Sequence, residues 1–173
     1  MEKLRGLFLP VEFVEPDVIE TPVPTTYSVS PLTEKNLKDV LHLNLRCFNL
    51  GENYTKDTFT HLLTAPNILG YRIVTAEKRM VGFIFIAITN KSVGHITTVG
   101  VAPEHRKKGL ATKLLEHAEK ALRARDFDSV VLEVRVSNYV AQNLYHRHGY
   151  TIIQKLTDYY SNHEDAYLMS KPL

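Results

Sequence analysis

An apolar strand, HITTVGV (His95–Val101), runs through a short basic loop into a helix-forming stretch. A second apolar strand, VVLEVRV (Val130–Val136), follows that helix. A strand–helix–strand unit of this length makes its two strands parallel neighbours joined by a crossover. Ligands in such units sit beyond the carboxyl ends of the strands. The loop 102–109 and the turn near 137–138 therefore share one edge, and that edge is where function is expected.

The rest of the chain alternates in the same way. Tyr27–Val29 reads as a short strand, and Thr33 as the N-cap of a helix with Leu37, Leu41 and Leu45 every four residues. Thr58–Leu63 is a second helix ended near Pro66. Tyr71–Ala76 and Met80–Ile88 form a hairpin around Glu77-Lys78-Arg79, and VGFIFIAI within it is apolar enough to be covered on both faces. Leu114, Leu115, Ala118 and Leu122 share one face of a helix from Leu110 to about Ala124. Asn138–His148 is another helix, closed by Gly149 as a C′ residue. Tyr150–Gln154 and Ala166–Ser170 are two last strands separated by TDYYSNHED. This alternation implies an α/β sheet covered on both faces.

Ahead of that pattern, residues 1–26 hold four prolines and a net charge of −3. They read as an extended acidic arm before a domain spanning 27–173, and the arm could also pack on a neighbouring subunit. The opening MEKLRGLFLP lacks the long apolar stretch of a secretory signal, and no run reaches the ~18 apolar residues of a membrane span. Cys47 is the single cysteine, so neither an internal disulfide nor a cysteine-based zinc cluster can form, and a cytoplasmic setting is expected. A net charge of +2 argues against a dedicated nucleic-acid binder.

The positive charge is local. Residues 103–125 carry seven Lys/Arg against three Glu. Arg106, Lys107, Lys108 and Gly109 precede Leu110, Ala111 and Thr112 at the start of a helix. A helix N-terminus presents unpaired backbone donors and the positive end of the dipole, and glycine lets a ligand approach closely. The segment is thus an anion site suited to a pyrophosphate. It is neither GxGxxG nor GxxxxGK[ST], which excludes dinucleotide oxidoreductase and P-loop chemistry. On the residues alone, Gly109 could also be a turn glycine beside solvated charges.

Arg106-Lys107-Lys108-Gly109-Leu110-Ala111 resembles the [QR]-x-x-G-x-[GA] element of the GCN5-related N-acetyltransferases, and SNYVAQNLYHRHGY resembles their later Asn…Leu-Tyr…Gly-Tyr element. HITTVGV, LEVRVSN and YYSNHEDAYLM are similar to a narrower branch. That branch holds the archaeal N-terminal α-acetyltransferases, the catalytic subunit of the N-terminal acetyltransferase A complex and the ribosomal-protein alanine N-acetyltransferases. The resemblance covers about residues 27–173.

The resemblance implies a mixed, mostly antiparallel central sheet of about seven strands with helices on both faces. It implies acetyl transfer from acetyl-CoA to the α-amine of protein or peptide N-termini, ribosomal proteins among them, with no metal. An acceptor lysine or small-molecule amine, or a non-catalytic acyl-CoA-binding module, are the alternatives. An α-amine has a pKa of about 7.7–8.0 and must lose a proton before it attacks, so a general base is useful. The resemblance gives that role to Glu133, with His95 and Glu52 (in NLGENY) helping directly or through water. It makes Tyr145 the acid for the departing thiolate. Read as residues only, Glu133 could be an outward-facing strand residue paired with Lys or Arg, and Tyr145 a core tyrosine beside Ala141 and Leu144.

Further roles follow from the same resemblance. The backbone of Val99, Gly100 and Val101 pairs with the pantetheine arm. The segment 106–112 holds the pyrophosphate. Asn138 and Ala141 approach the cofactor, although Asn138 is also a good N-cap. Tyr54, Thr97, Tyr159 and Tyr160, with Glu52, contact the peptide.

Overall fold

The computed structural model describes residues 26–48, 54–89 and 92–173. The expectations for the acidic arm, including its packing on a second subunit, and for Glu52 lie outside the described residues. The strands are β1 (Tyr27–Pro31), β2 (Ile68–Thr75), β3 (Met80–Ile88), β4 (Val93–Val101), β5 (Ser129–Arg135), β6 (Thr151–Leu156) and β7 (Ala166–Pro172). The helices are α1 (Leu37–Cys47), α2 (Lys56–Thr64), α3 (Leu110–Arg123) and α4 (Tyr139–Arg147).

The strands form one sheet in the order β1-β2-β3-β4-β5-β7-β6. Every neighbouring pair is antiparallel except β4 and β5, which are parallel. The mixed, mostly antiparallel seven-strand α/β sheet expected from the sequence is the fold observed.

β3 is the strand buried on both faces. Phe83 and Phe85 point to one side, where Phe59 of α2 meets their rings at centroid distances of 6.0 and 5.8 Å. Gly82 points to the other, where a Cβ would lie 3.4 Å from Leu114 of α3. Gly94 faces that side too, and a Cβ there would stand 2.6 Å from a methyl of Leu122. Helices α1 and α2 thus cover one face and α3 the other. The cluster of Val40, Leu43, Phe59, Ile84, Ile86, Leu114, Leu115, Leu122, Leu132 and Met169 fills the core.

Local signals explain most boundaries. Asn36 Oδ1 accepts from the backbone N–H and the hydroxyl of Thr33, which closes a single 3-10 turn before α1. The Thr55 hydroxyl accepts from the N–H of Thr58 and starts α2. Gly149, at φ +86°, ends α4 in the left-handed conformation expected of a C′ glycine.

The face expected for α1 needs correction. Leu45 is 60% exposed, whereas Val40, Leu43 and Asn44 are buried. A four-residue repeat drifts around a helix that turns every 3.6 residues, so Leu45 leaves the stripe that Leu37 and Leu41 begin.

Candidate functional site

Two features of β4 open the site. Its ladder to β5 runs from Val93↔Ser129 to Ile96↔Leu132 and stops there. Its ladder to β3 shifts register at the next residue, with Phe85 opposite Thr98 and Ile86 opposite Ile96. Thr97 is therefore the extra residue of a β-bulge, a device that bends a strand and re-aims its side chains. Beyond it, Val99, Gly100 and Val101 keep their pairing to Ile84, Phe83 and Gly82, while their other edge no longer meets β5. Of the acetyl-CoA contacts expected, these three backbones line the gap between the strands.

The loop after β4 makes a 3-10 turn at Pro103–His105 and enters α3 through Gly109. Gly109 is the N-cap at φ +74°, and a Cβ placed on it meets nothing within 4 Å. The first intrahelical bond of this turn runs from the N–H of Lys113 to the carbonyl of Gly109, 3.0 Å. The N–H groups of Leu110, Ala111 and Thr112 precede it and have no acceptor within the helix. Lys107 and Lys108 are exposed beside them, with Lys107 at φ +59°. Open space, free backbone donors and positive charge coincide here, and they fit the diphosphate of acetyl-CoA.

Arg106 behaves differently from its neighbours. Its Nε donates to Val101 O (3.2 Å) and its Nη2 to Cys47 O (3.1 Å). Beside it, Arg46 donates to both oxygens of Glu104 at 2.7 Å. The side chain expected to add charge to the anion site also ties the end of α1 to the loop.

The parallel neighbour carries two ionisable groups. Val130, Leu132 and Val134 of β5 are buried, so the alternate residues Glu133 and Arg135 face the side of α1 and α2. His95 of β4 faces the same way, and its Nε2 donates to Oε2 of Glu133 at 2.6 Å. Among residues packed nearby, the Tyr54 hydroxyl donates to the carbonyl of Thr97, 3.1 Å, while the Thr97 hydroxyl donates to Phe85 O. Tyr159 and Tyr160 meet edge to face at 5.1 Å. Burial, reinforced by the charge of Glu133, raises the phenols of Tyr54 and Tyr159 above the usual range. Tyr160 is pushed up to about 12, by burial first. Three protonated tyrosines therefore lie within electrostatic reach of one carboxylate.

On the other side of the gap, Asn138 caps α4 by accepting from the N–H of Ala141 at 3.1 Å. Tyr145, about two turns after Asn138, is 6% exposed, and burial alone pushes its phenol up to about 12. His148 and Thr112 meet at 3.0 Å and join the far end of α4 to the first turn of α3. The structure places 99–101 and 106–112 on one wall of the gap and Asn138 and Ala141 on the other, while Tyr145 packs in the core with its ring 5.8 Å from that of Tyr150. His95, Glu133, Tyr54, Tyr159 and Tyr160 lie at the α1/α2 face. No cluster of His, Cys, Asp or Glu able to hold a metal occurs among the described residues.

Sequence reasoning passed over two neighbours of this site. The Arg135 guanidinium lies 3.7 Å from the centroid of the Tyr160 ring and pairs with Glu164. The available signal was a second charge two positions after Glu133 in an otherwise apolar strand. Gln142 was also missed: its Nε2 donates to the carbonyls of Arg135 and Val136 and fixes α4 to the end of β5.

Comparison with known proteins agrees with this geometry. Residues 37–150 match the acetyltransferase (GNAT) family. An N-alpha-acetyltransferase of Saccharolobus solfataricus is 44% identical over 144 residues, 76% of this chain and 85% of that protein. The N-terminal acetyltransferase A complex catalytic subunit NAA10 of Arabidopsis thaliana is 40% identical over 136 residues, 75% of this chain and 69% of that protein. The crystal structure of the ribosomal-protein-S18-alanine N-acetyltransferase of Escherichia coli superposes with a TM-score of 0.78 at 25% identity, covering 85% of this chain and 94% of that one. The parted strands, the glycine-led helix tip and these sequence matches coincide along the chain, and this protein belongs to the GNAT acetyltransferase family.

Proposed function

We propose that this enzyme acetylates the α-amine of protein N-termini by direct attack, with the His95–Glu133 pair taking the proton of the amine and Tyr145 supplying one to the leaving sulfur. The observation that carries this reading is the 2.6 Å contact between His95 and Glu133, at the point where β4 and β5 part. Relatives of this chain are named as N-alpha-acetyltransferases, and a Chaetomium thermophilum Naa20 structure, in complex with a bisubstrate analogue, matches at 26% identity with a TM-score of 0.74. That match covers 84% of this chain and 86% of that one. The acetyl donor is acetyl-CoA, which supplies a thioester carbonyl open to attack.

The chain's own groups divide the work. The N–H groups of residues 110–112 and the flanking lysines hold the diphosphate. The free edge of Val99–Val101 holds the pantetheine arm as an added strand would, and a backbone N–H there donates to the carbonyl oxygen as negative charge gathers on it. The Glu133 carboxylate, with three phenols around it, favours a protonated amine on arrival, since cations are attracted both to the anion and to ring faces. One Glu133 oxygen is held by His95, which leaves the other to take the proton, directly or through a water. Tyr145, raised to about 12, stays protonated at any working pH and can donate. Tyr159 and Tyr160 confine the first residues of the peptide, so that amine and thioester meet at near-attack distance.

The test is incubation of the full chain with acetyl-CoA and a peptide library varied at the first two positions, half of it blocked at the N-terminus and bearing lysine. Acetylation confined to free α-amines supports the reading. Modification of lysine in the blocked half overturns it.

A further inference from the structure

The loop between β6 and β7 is fastened at two levels. At its base, Asp165 accepts from Lys155 (2.7 Å) and from the N–H of Asp158 (2.9 Å), and Asp158 pairs with His163. Nearer the gap several ties converge on one residue, Glu164. Its backbone carbonyl accepts from the N–H groups of both Tyr159 and Tyr160, each at 3.1 Å. One side-chain oxygen pairs with Arg135, whose guanidinium lies against the Tyr160 ring and also reaches Asn162. The other oxygen accepts from the N–H of Ser137 at 3.0 Å. Ser137 precedes Asn138, the cap of α4, and α4 carries Tyr145.

We propose that Glu164 and Arg135 are positioning residues that fix the tyrosine pair over Glu133 and register that loop against the start of α4. The inference rests on the peptide reading of this face and names the groups that set its geometry. A carboxylate with both oxygens engaged cannot rotate, and a guanidinium that stacks and pairs at once presents one plane to the Tyr160 ring. Movement of the tyrosines must then displace either the ion pair or the Ser137 turn.

Three variants of the full chain separate this role from simple support of the fold. Glu164→Gln can keep the Ser137 bond but loses the ion pair. Arg135→Lys keeps the charge but loses the planar stack. The double variant removes both. In steady-state assays each single substitution raises the peptide KM about tenfold, while kcat and the acetyl-CoA Kd stay within about threefold. The double variant is no worse than either single one, as expected for groups acting as a unit. Peptide KM within twofold of wild type in both single variants overturns the proposal. So does an acetyl-CoA Kd that rises in step with the peptide KM, or a double variant whose effects multiply.

Amide hydrogen exchange reads the same strut with no substrate present. Glu164→Ala, which removes both side-chain bonds, speeds exchange at Tyr159, Tyr160 and Ser137 together; acceleration at the loop alone, or at none of the three, overturns the proposal. If the wild-type chain acetylates no α-amine, the peptide reading fails while this exchange result still judges the strut.

Discussion

His95 stands one rung inside the end of the β4–β5 ladder and Glu133 one residue beyond it, so a side-chain bond of 2.6 Å spans the point where the two backbones part. Two groups sharing one proton path act as a unit, and their removal is not additive. Glu133→Gln should lower kcat roughly 100-fold or more, within the range of general base catalysis. His95→Asn should lower it less, and the double variant should match Glu133→Gln alone. Steady-state kcat at saturating acetyl-CoA measures this, and a double variant equal to the product of the singles refutes the shared path.

Tyr145→Phe should lower kcat at least tenfold with an unchanged acetyl-CoA Kd. Because burial pushes the wild-type phenol up to about 12, its ionisation contributes no falling limb to the pH–kcat profile below about pH 10. Profiles of both proteins between pH 6 and 10 check this. A falling limb in the wild type that the Phe variant lacks would remove Tyr145 from the acid role.

Gly109→Ala separates fold from ligand. Its Cβ meets nothing, so only the left-handed backbone is penalised, by about 1 kcal/mol. Gly109→Glu adds a repelling charge and should weaken acetyl-CoA at least tenfold by calorimetry. Neutralising Lys107 and Lys108 together should flatten the salt dependence of that binding more than neutralising Arg106 alone, because two charges are removed and the Arg106 guanidinium is held toward Cys47 and Val101.

Gly94→Ala should destabilise the fold by about 1–3 kcal/mol, because the new methyl arrives 2.6 Å from Leu122 in a packed core. Denaturant unfolding measures it, and a neutral result would mean that α3 can slide off β4 at little expense.

Glu164 is held down to about 2, first by its hydrogen bond from Ser137 and then by Arg135. A carboxyl lowered on folding stabilises the native state in full above the ordinary carboxylate range and loses that contribution as pH falls toward its folded value. Stability of the wild type should therefore decline between about pH 4.5 and 2 more steeply than that of Glu164→Gln. Equal slopes in acid unfolding would exclude Glu164 as a contributor.

The sequence revealed what repeats and what breaks a repeat. Gly149 and the Leu114–Leu122 stripe announce their elements, because periodicity and positive-φ turns are local properties. Glu133 stood out as a charge in an apolar strand. Leu45 misled, since spacing by four mimics a buried stripe until the helix is built. The bulge at Thr97 left no mark in the sequence, because an extra residue on β4 is defined only against β3. The turn of Arg106 toward Cys47 was equally hidden, for its acceptor is a backbone carbonyl 59 residues away, and every residue type offers one. Nothing in the sequence marks Glu119 as buried, yet it is 3% exposed and accepts from Lys171 of β7 and from Tyr150.

The bulge has a consequence for how the sheet stays open. Parallel strands that already share rungs tend to add the next one, and each further rung between β4 and β5 would zip the slot shut. Thr97 stands where the zipper would advance, with its carbonyl committed to Tyr54 and its hydroxyl to Phe85. The misfit residue acts as a doorstop: the enzyme keeps room for a guest between two strands because one of them has a residue too many.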